Sequence, residues 1–125
     1  MLLPKLAGGE MPNRVPKHTN DRLQGTLDLV VLKMLEARGP MHGYAMVEHI
    51  GRISNQVLRV QEGSLYPALH RMTQAGWLRA EWRQSENRRR ARYYTITAAG
   101  RRQLAEEERN WAALTGAVAH LLRHA

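Results

Sequence analysis

Glu62-Gly63-Ser64-Leu65-Tyr66-Pro67-Ala68-Leu69-His70-Arg71-Met72 is the stretch on which the reading of this chain turns. At about 3.6 residues per turn it makes a short helix with two unlike faces. Leu65, Ala68, Leu69, Met72 and Ala75 share one face and can pack on a core. Gly63, Tyr66, Pro67, His70 and Gln74 share the other, with Ser64 and Arg71 at its margins. That outer face carries no carboxylate beyond Glu62 at its start. A helix that meets only solvent usually carries Glu and Lys there. A helix that enters a nucleic-acid groove avoids acids and keeps its first turn slim. The expected start lies between Glu62 and Ser64, with Ser64 as the N-cap candidate. Such a start leaves Pro67 harmless, its missing N–H falling where no intrahelical acceptor exists. Gly76 supplies the left-handed residue that ends the helix.

Downstream, Trp77-Leu78-Arg79-Ala80-Glu81-Trp82 and Arg92-Tyr93-Tyr94-Thr95-Ile96 alternate and are rich in aromatic and β-branched residues, so they read as strands. The polar loop between them, residues 83–91, holds Arg83, Arg88, Arg89 and Arg90. Upstream, Leu23 to Ala37 reads as a helix that is apolar nearly all round, with Leu27, Val30, Val31, Met34 and Leu35 at helical spacing. In a chain this small, its second apolar side points to a partner subunit. Gly39-Pro40 ends it. His42-Gly43-Tyr44 opens a second helix running to about Ser54, with Tyr44, Val47, Ile50 and Met46 expected inward. Gly43 permits a close helix crossing or the start geometry, and His42 reads as structural. Asn55 to Gln61 is a connector in which Val57, Leu58 and Val60 allow one short extended segment on the core.

Three helices followed by a hairpin is the order of a winged helix-turn-helix, with the hairpin as the wing. The expected fold is therefore mainly α with a small β-hairpin, completed by a long last helix. Thr97 caps that helix, which runs from Ala98 to about Arg123. Leu104, Trp111 and Val118 recur every seven residues, with Leu114, Leu121 and Leu122 beside them. Nothing else in the chain remains to cover this stripe. The expected dimer seam is thus Leu27, Val31, Leu104, Trp111, Leu114, Val118, Leu121 and Leu122. The expected division is a mobile tail over 1–22 with Pro4, Pro12 and Pro16, a DNA-binding domain over 23–97 and a dimerisation helix over 98–125. Met11 is a second candidate start codon.

Composition narrows the function classes. The 125 residues carry a formal charge of +8, which suits either a polyanion partner or a self-repelling basic protein. The placement of the charge decides between them. Arg79, Arg83, Arg88, Arg89, Arg90 and Arg92 cluster on the hairpin against only Glu81 and Glu86. Arginine suits phosphate forks and minor-groove insertion. Ser64, Tyr66 and His70 can reach base edges or phosphates, and Gly63 lets the backbone approach a phosphate. The other reading of Tyr66 is a partly buried packing residue. The candidate DNA-binding set is Gly63, Ser64, Tyr66, Pro67, His70, Arg71, Arg88, Arg89, Arg90 and Arg92.

There is no Cys, so disulfides and thiolate metal sites are excluded, and a reducing cytoplasm is the expected location. No apolar run approaches the ~20 residues of a membrane span, and the first residues are too short for a signal peptide. No nucleophile–base arrangement or phosphate-binding glycine loop stands out, so neither enzyme activity nor a cofactor is expected. His120 and His124 have chelate spacing, but no carboxylate or thiolate accompanies them, and no metal is expected. Trp111 has two readings, plain dimer core or the wall of a pocket for a planar ligand. Glu107, one turn earlier, favours a cationic ligand or belongs to the surface.

Leu23-Gln24-Gly25-Thr26-Leu27-Asp28, His42-Gly43-Tyr44, Gly63-Ser64-Leu65-Tyr66-Pro67-Ala68-Leu69, Arg88-Arg89-Arg90-Ala91-Arg92-Tyr93-Tyr94 and Thr97-Ala98-Ala99-Gly100 follow one another in an order and spacing that resembles the PadR family of bacterial transcriptional regulators. The resemblance covers residues 23 to 122 and is nearest to the short subfamily with a single C-terminal helix. It implies a homodimeric winged-helix repressor. The recognition helix would enter the major groove of double-stranded DNA, the wing would follow the backbone, and the last helix would pair with the partner's first. Some short members have a Trp matching Trp111, facing a pore between subunits where flat aromatic compounds stack. The resemblance therefore implies Trp111, with Glu107, as the place for a small aromatic effector. Two departures stand out. Family wings often carry Gly before the arginines, where this chain has Glu86-Asn87, and Asn tolerates the left-handed conformation the turn needs. Arg92 stands where Lys is frequent and keeps the charge. Two other classes fit the charge: an architectural DNA-coating protein, which would show no operator preference, and a protein–protein adaptor, which would show no DNA affinity.

Overall fold

The computed structural model describes residues 14–125, with side chains from Gly25 onward. Seven elements follow in order: α1 (Arg14–Arg38), β1 (Met41–His42), α2 (Gly43–Ile53), α3 (Glu62–Gln74), β2 (Leu78–Gln84), β3 (Arg90–Ile96) and α4 (Ala98–His124). Helices dominate, and the strands form one antiparallel sheet in the order β1-β3-β2.

α1 begins well before the expected Leu23, so residues 14–22 of the expected tail are helical. Pro16 falls in its first turn, where a missing N–H leaves no helical bond unmade. The rest of that tail lies outside the described residues. Gly39, at φ +83°, donates its N–H to the Leu35 carbonyl at 3.0 Å and closes α1. The chain then extends through β1, which pairs with β3 as Met41↔Tyr94 and His42↔Tyr93. The extended segment expected among residues 55–61 is absent from that place. Asn55 and Gln56 adopt φ of 54° and 65°, and the tight turn they form throws Val57 and Leu58 outward. Of the three apolar residues there, only Val60 packs on the core.

His42 caps α2, its Nδ1 accepting from the Ala45 N–H at 3.3 Å. Gly43, Met46, Ile50 and Gly51 form the buried stripe of α2. That stripe puts Tyr44, expected inward, on the opposite side. Tyr44 is 58 % exposed, and its hydroxyl donates to Glu48 one turn on, at 3.1 Å.

In α3, Leu65, Ala68, Leu69 and Met72 are buried, as their spacing requires, while Ala75 is the exposed C-cap. The N-cap is Gln61 rather than Ser64. The Gln61 carbonyl accepts from both the Ser64 and Leu65 N–H groups at 3.0 Å, which places Ser64 inside the first turn. With the helix starting at Glu62, Pro67 lies inside it. Proline has no N–H, so the bond that the Gly63 carbonyl would accept from residue 67 is missing.

The wing is longer than its most obvious sequence signal. β2 and β3 pair from Leu78↔Ile96 out to Gln84↔Arg90. Thr97 then ties the hairpin root to α4. Its Oγ1 accepts from the Gly100 N–H at 3.0 Å and donates to the Gly76 carbonyl at 2.7 Å.

Val31, Leu32, Leu35, Met46, Leu65, Leu69 and Met72 are fully buried and form one core with Leu78, Tyr94, Ile96 and Leu104. Each such Leu or Met contributes roughly 1.5–3 kcal/mol of transfer free energy. Two residues expected at the dimer seam, Val31 and Leu104, are therefore covered within the chain, because the start of α4 folds back on α1. Lys33–Glu108 at 3.2 Å and Arg101–Glu36 at 2.9 Å bridge those helices at the surface. Leu27 packs at the core's edge. Beyond Leu104, α4 leaves Trp111, Leu114, Val118, Leu121 and Leu122 exposed.

Candidate nucleic-acid interface

The outer face of α3 presents Gly63, Ser64, Tyr66, Pro67 and His70 to solvent. Tyr66 is held by a close approach at the start of α2. A Cβ placed on Gly43 would lie 2.6 Å from Tyr66 Cε1 and 2.7 Å from its hydroxyl. The absence of a side chain at Gly43 thus creates the seat for the tyrosine ring. Burial, followed by the charge of Glu62 and by Tyr94, raises the Tyr66 pKa. The phenol keeps its proton and can donate to a phosphate or base edge.

A groove of about 590 Å³ separates this face from the wing. Tyr44 and Tyr66 line one side, and Trp82, Arg89, Arg90 and Arg92 line the other. The structure thus brings together Tyr66 and three of the expected wing arginines. Gly63, Ser64 and His70 continue the exposed face beyond the groove. Two guanidiniums rest on aromatic rings: Arg90 lies 5.3 Å from the Trp82 ring centroid, and Arg83 lies 5.0 Å from that of Tyr93. Stacking of this kind holds the Arg90 cation in place without neutralising it, whereas Arg83 is also paired with Glu81 at 3.1 Å. Trp82 was not among the residues expected at the site. Its signal is the strand alternation, which sets it directly opposite Arg92.

At the wing tip the Arg88 N–H donates to the Ser85 carbonyl at 2.9 Å, and the Ser85 N–H donates to the Arg89 carbonyl at 2.7 Å. The left-handed residue is Arg88, at φ 62°, and not Asn87. The turn runs from Ser85 to Arg88, so the conformation that closes it falls one position later.

Arg71 is placed differently from the DNA-facing expectation. Its Nη2 and Nη1 donate to Asp28 Oδ1 and Oδ2 at 2.7 and 3.0 Å, holding α3 to α1. Hydrogen bonding to Asp28 raises the Arg71 pKa, burial opposes this, and the charges of Asp28 and Glu107 add to the rise. Asp28 was also missed as a site residue. Its signal is an acid set in an otherwise apolar helical run.

The model of the transcriptional regulator PadR-like family matches residues 31–106. This chain belongs to the PadR-like family. The transcriptional regulator Rv3488 of Mycobacterium tuberculosis is 38 % identical over 73 residues, which span 58 % of this chain and 64 % of that protein. A PadR family transcriptional regulator from Eggerthella lenta superposes with a TM-score of 0.67 at 30 % identity, covering 90 % of this chain and 96 % of that one. A PadR-like transcriptional regulator from Bacillus cereus gives a TM-score of 0.70 at 27 % identity, covering 84 % and 99 %. This PadR-like chain is a DNA-binding transcriptional regulator of winged-helix fold. Among the described residues no helix is long and apolar enough to cross a membrane.

In this PadR-like regulator Glu107 and Trp111 share a cleft of about 150 Å³ between α1 and α4, with Leu29 and Leu114 on its walls. Glu107 accepts from Gln103 Nε2 at 2.8 Å. On the other side of Trp111 lies an apolar hollow of about 560 Å³, bounded by Val30 and Met34 of α1 and Ile50 of α2. The His120 and His124 rings lie with centroids 4.4 Å apart and planes tilted by 40° near the end of α4, both exposed.

Proposed function

We propose that this PadR-like regulator is a homodimeric, sequence-specific repressor whose recognition helix is α3. The carrying observation is the groove in which Tyr66 of α3, seated on Gly43, faces the wing arginines Arg89, Arg90 and Arg92, with Glu86 the one carboxylate residue on its lining. A duplex laid across α3 would bring its backbone alongside Arg88, Arg89, Arg90 and Arg92. Gly63, Ser64, Tyr66, Pro67 and His70 would then meet the major groove. The second copy would be bound by the stripe Trp111, Leu114, Val118, Leu121 and Leu122. This predicts inverted half-sites about one turn apart, ~34–36 Å centre to centre.

Fluorescence anisotropy on the DNA upstream of the protein's own coding sequence, over a range of salt concentrations, tests this reading. A regulator prefers one segment over random duplex. Equal affinity for every duplex makes the protein an architectural binder, and no affinity makes it an adaptor.

The cleft at Trp111 supports a second part of the proposal, that a flat aromatic compound binds between subunits and releases the DNA, with Glu107 favouring a cationic one. Trp77 and Trp82 also emit, so the measurement is quenching in the wild type against Trp111→Ala. No saturable difference across a panel of planar cations and phenolics removes the effector from the scheme.

A further inference from the structure

Asp28 lies where an amphipathic helix would place an apolar residue. It is 5 % exposed, and no other polar or charged side chain among the described residues is buried so deeply. Its carboxylate is matched by the planar fork of Arg71, 43 residues further along the chain. A bidentate pair fixes direction as well as distance. The other links between α3 and the body include the side chains of Leu65, Ala68, Leu69 and Met72 and the Tyr66 ring seated on Gly43. Apolar contact is non-directional and tolerates small rotations and slides. Pro67 weakens the helix locally, since the Gly63 carbonyl loses its bond from residue 67. The reading turn, residues 63–67, is held to the body by Leu65 and by the seating of Tyr66 on Gly43, and Arg71, one turn later, is the directional polar anchor of the helix. The carboxylate of Glu107 in α4 also acts on the Arg71 charge. Arg71 thus meets the electrostatics of both helices that lead to the exposed stripe.

We propose that the Asp28–Arg71 pair is the positioning element of the DNA reader. It locks α3 against α1 in rotation, so that the two readers of a dimer stand at one fixed separation, and it sets discrimination between operator spacings more than affinity. The proposal rests on the operator-binding dimer proposed above. Arg71 acts through α3 and not by touching DNA.

The test uses the full chain and duplexes that the wild type enriches from a random pool. One base pair is added to or removed from the spacer between half-sites, and affinities are read by anisotropy. The wild type should lose about tenfold on a one-pair change. Folded Arg71→Gln, checked by circular dichroism and melting, should bind the whole spacer series within about threefold. Its affinity for unrelated duplex should be unchanged, because the wing arginines are intact. Arg71→Lys keeps the charge but lacks the fork and should fall between the two. If Arg71→Gln does not fold, Arg71→Lys decides alone. A folded variant that keeps the wild-type spacer preference overturns the proposal, as does an equal fall in affinity for operator and unrelated duplex. A wild type that enriches no sequence overturns the operator reading and this proposal with it. A wild type and a variant that select spacers alike overturn only the proposal.

Discussion

Arg88 holds a left-handed backbone, φ 62°, at a place where glycine would do so freely. For a residue with a Cβ this conformation costs about 1–2 kcal/mol. Arg88→Gly should therefore raise the melting temperature by a few degrees while weakening DNA binding. The slope of log affinity against log salt should shrink by about 0.9 if one phosphate contact is lost. An unchanged slope in a salt titration would show that Arg88 meets no phosphate. Two glycines give a contrasting pair. The nearest atoms to a Cβ at Gly43 all belong to the Tyr66 ring, a half-exposed side chain that can swing away. Gly43→Ala should cost about 1 kcal/mol or less and lower DNA affinity by displacing the ring. In a Tyr66→Ala background the same change should cost nothing in a urea melt. A Cβ at Gly100 collides with the Trp77 carbonyl, backbone that Thr97 ties to the start of α4. Gly100→Ala should cost about 3 kcal/mol or more.

Among the elements, the wing carries the charge and α2 carries a pH response. Replacing Arg88, Arg89 and Arg90 together by Ala should lower affinity for any duplex by at least tenfold at moderate salt, on the order of two to three phosphate contacts. The thermal melt should move little, because all three are exposed. His49 in α2 has its pKa lowered by burial and by the charges of Arg38 and Arg52, and its Nδ1 accepts from Arg52 Nη2 at 3.2 Å, which requires the neutral ring. The folded state thus binds this proton less readily than the unfolded chain. Nothing is lost above the ordinary histidine range, and stability falls as pH drops below ~6.5 toward the depressed folded value. Melts at about pH 7.5 and 5.5 should show a smaller acid loss in His49→Gln than in the wild type. The buried face of α3 and both wing strands were legible because their apolar periods are long enough to show. β1 was not, since Met41–His42 is too short to show a period and exists only through its pairing with β3. The apolar second side of α1 could be read, but not which copy covers it, and part of it turned out to pack on Leu104 of the same chain. The partner of Arg71 was hidden for a related reason: the fork lies 43 positions along the chain from its carboxylate, and spacing carries no signal at that range.

For the whole molecule, the division of α4 matters most. Its first turns belong to the core through Gly100 and Leu104, and from Trp111 onward it carries an uncovered apolar stripe. Leu114→Glu with Val118→Glu should leave the fold of residues 25–104 intact and give a monomer by sedimentation equilibrium. Its affinity for a paired site should collapse toward that for a single half-site. The segment Trp111–His124 is about 20 Å of helix, and a helix of that length is marginal in water by itself. In the proposed dimer its last turns would be ordered by association as much as by sequence. Ellipticity at the helix band should decline on dilution, at the same protein concentration at which the mass halves. For the dimeric repressor proposed above, repression would acquire a threshold: below that concentration operator occupancy would rise as roughly the square of protein abundance, so a cell holding few copies would leave the promoter open, and a modest rise in synthesis would close it.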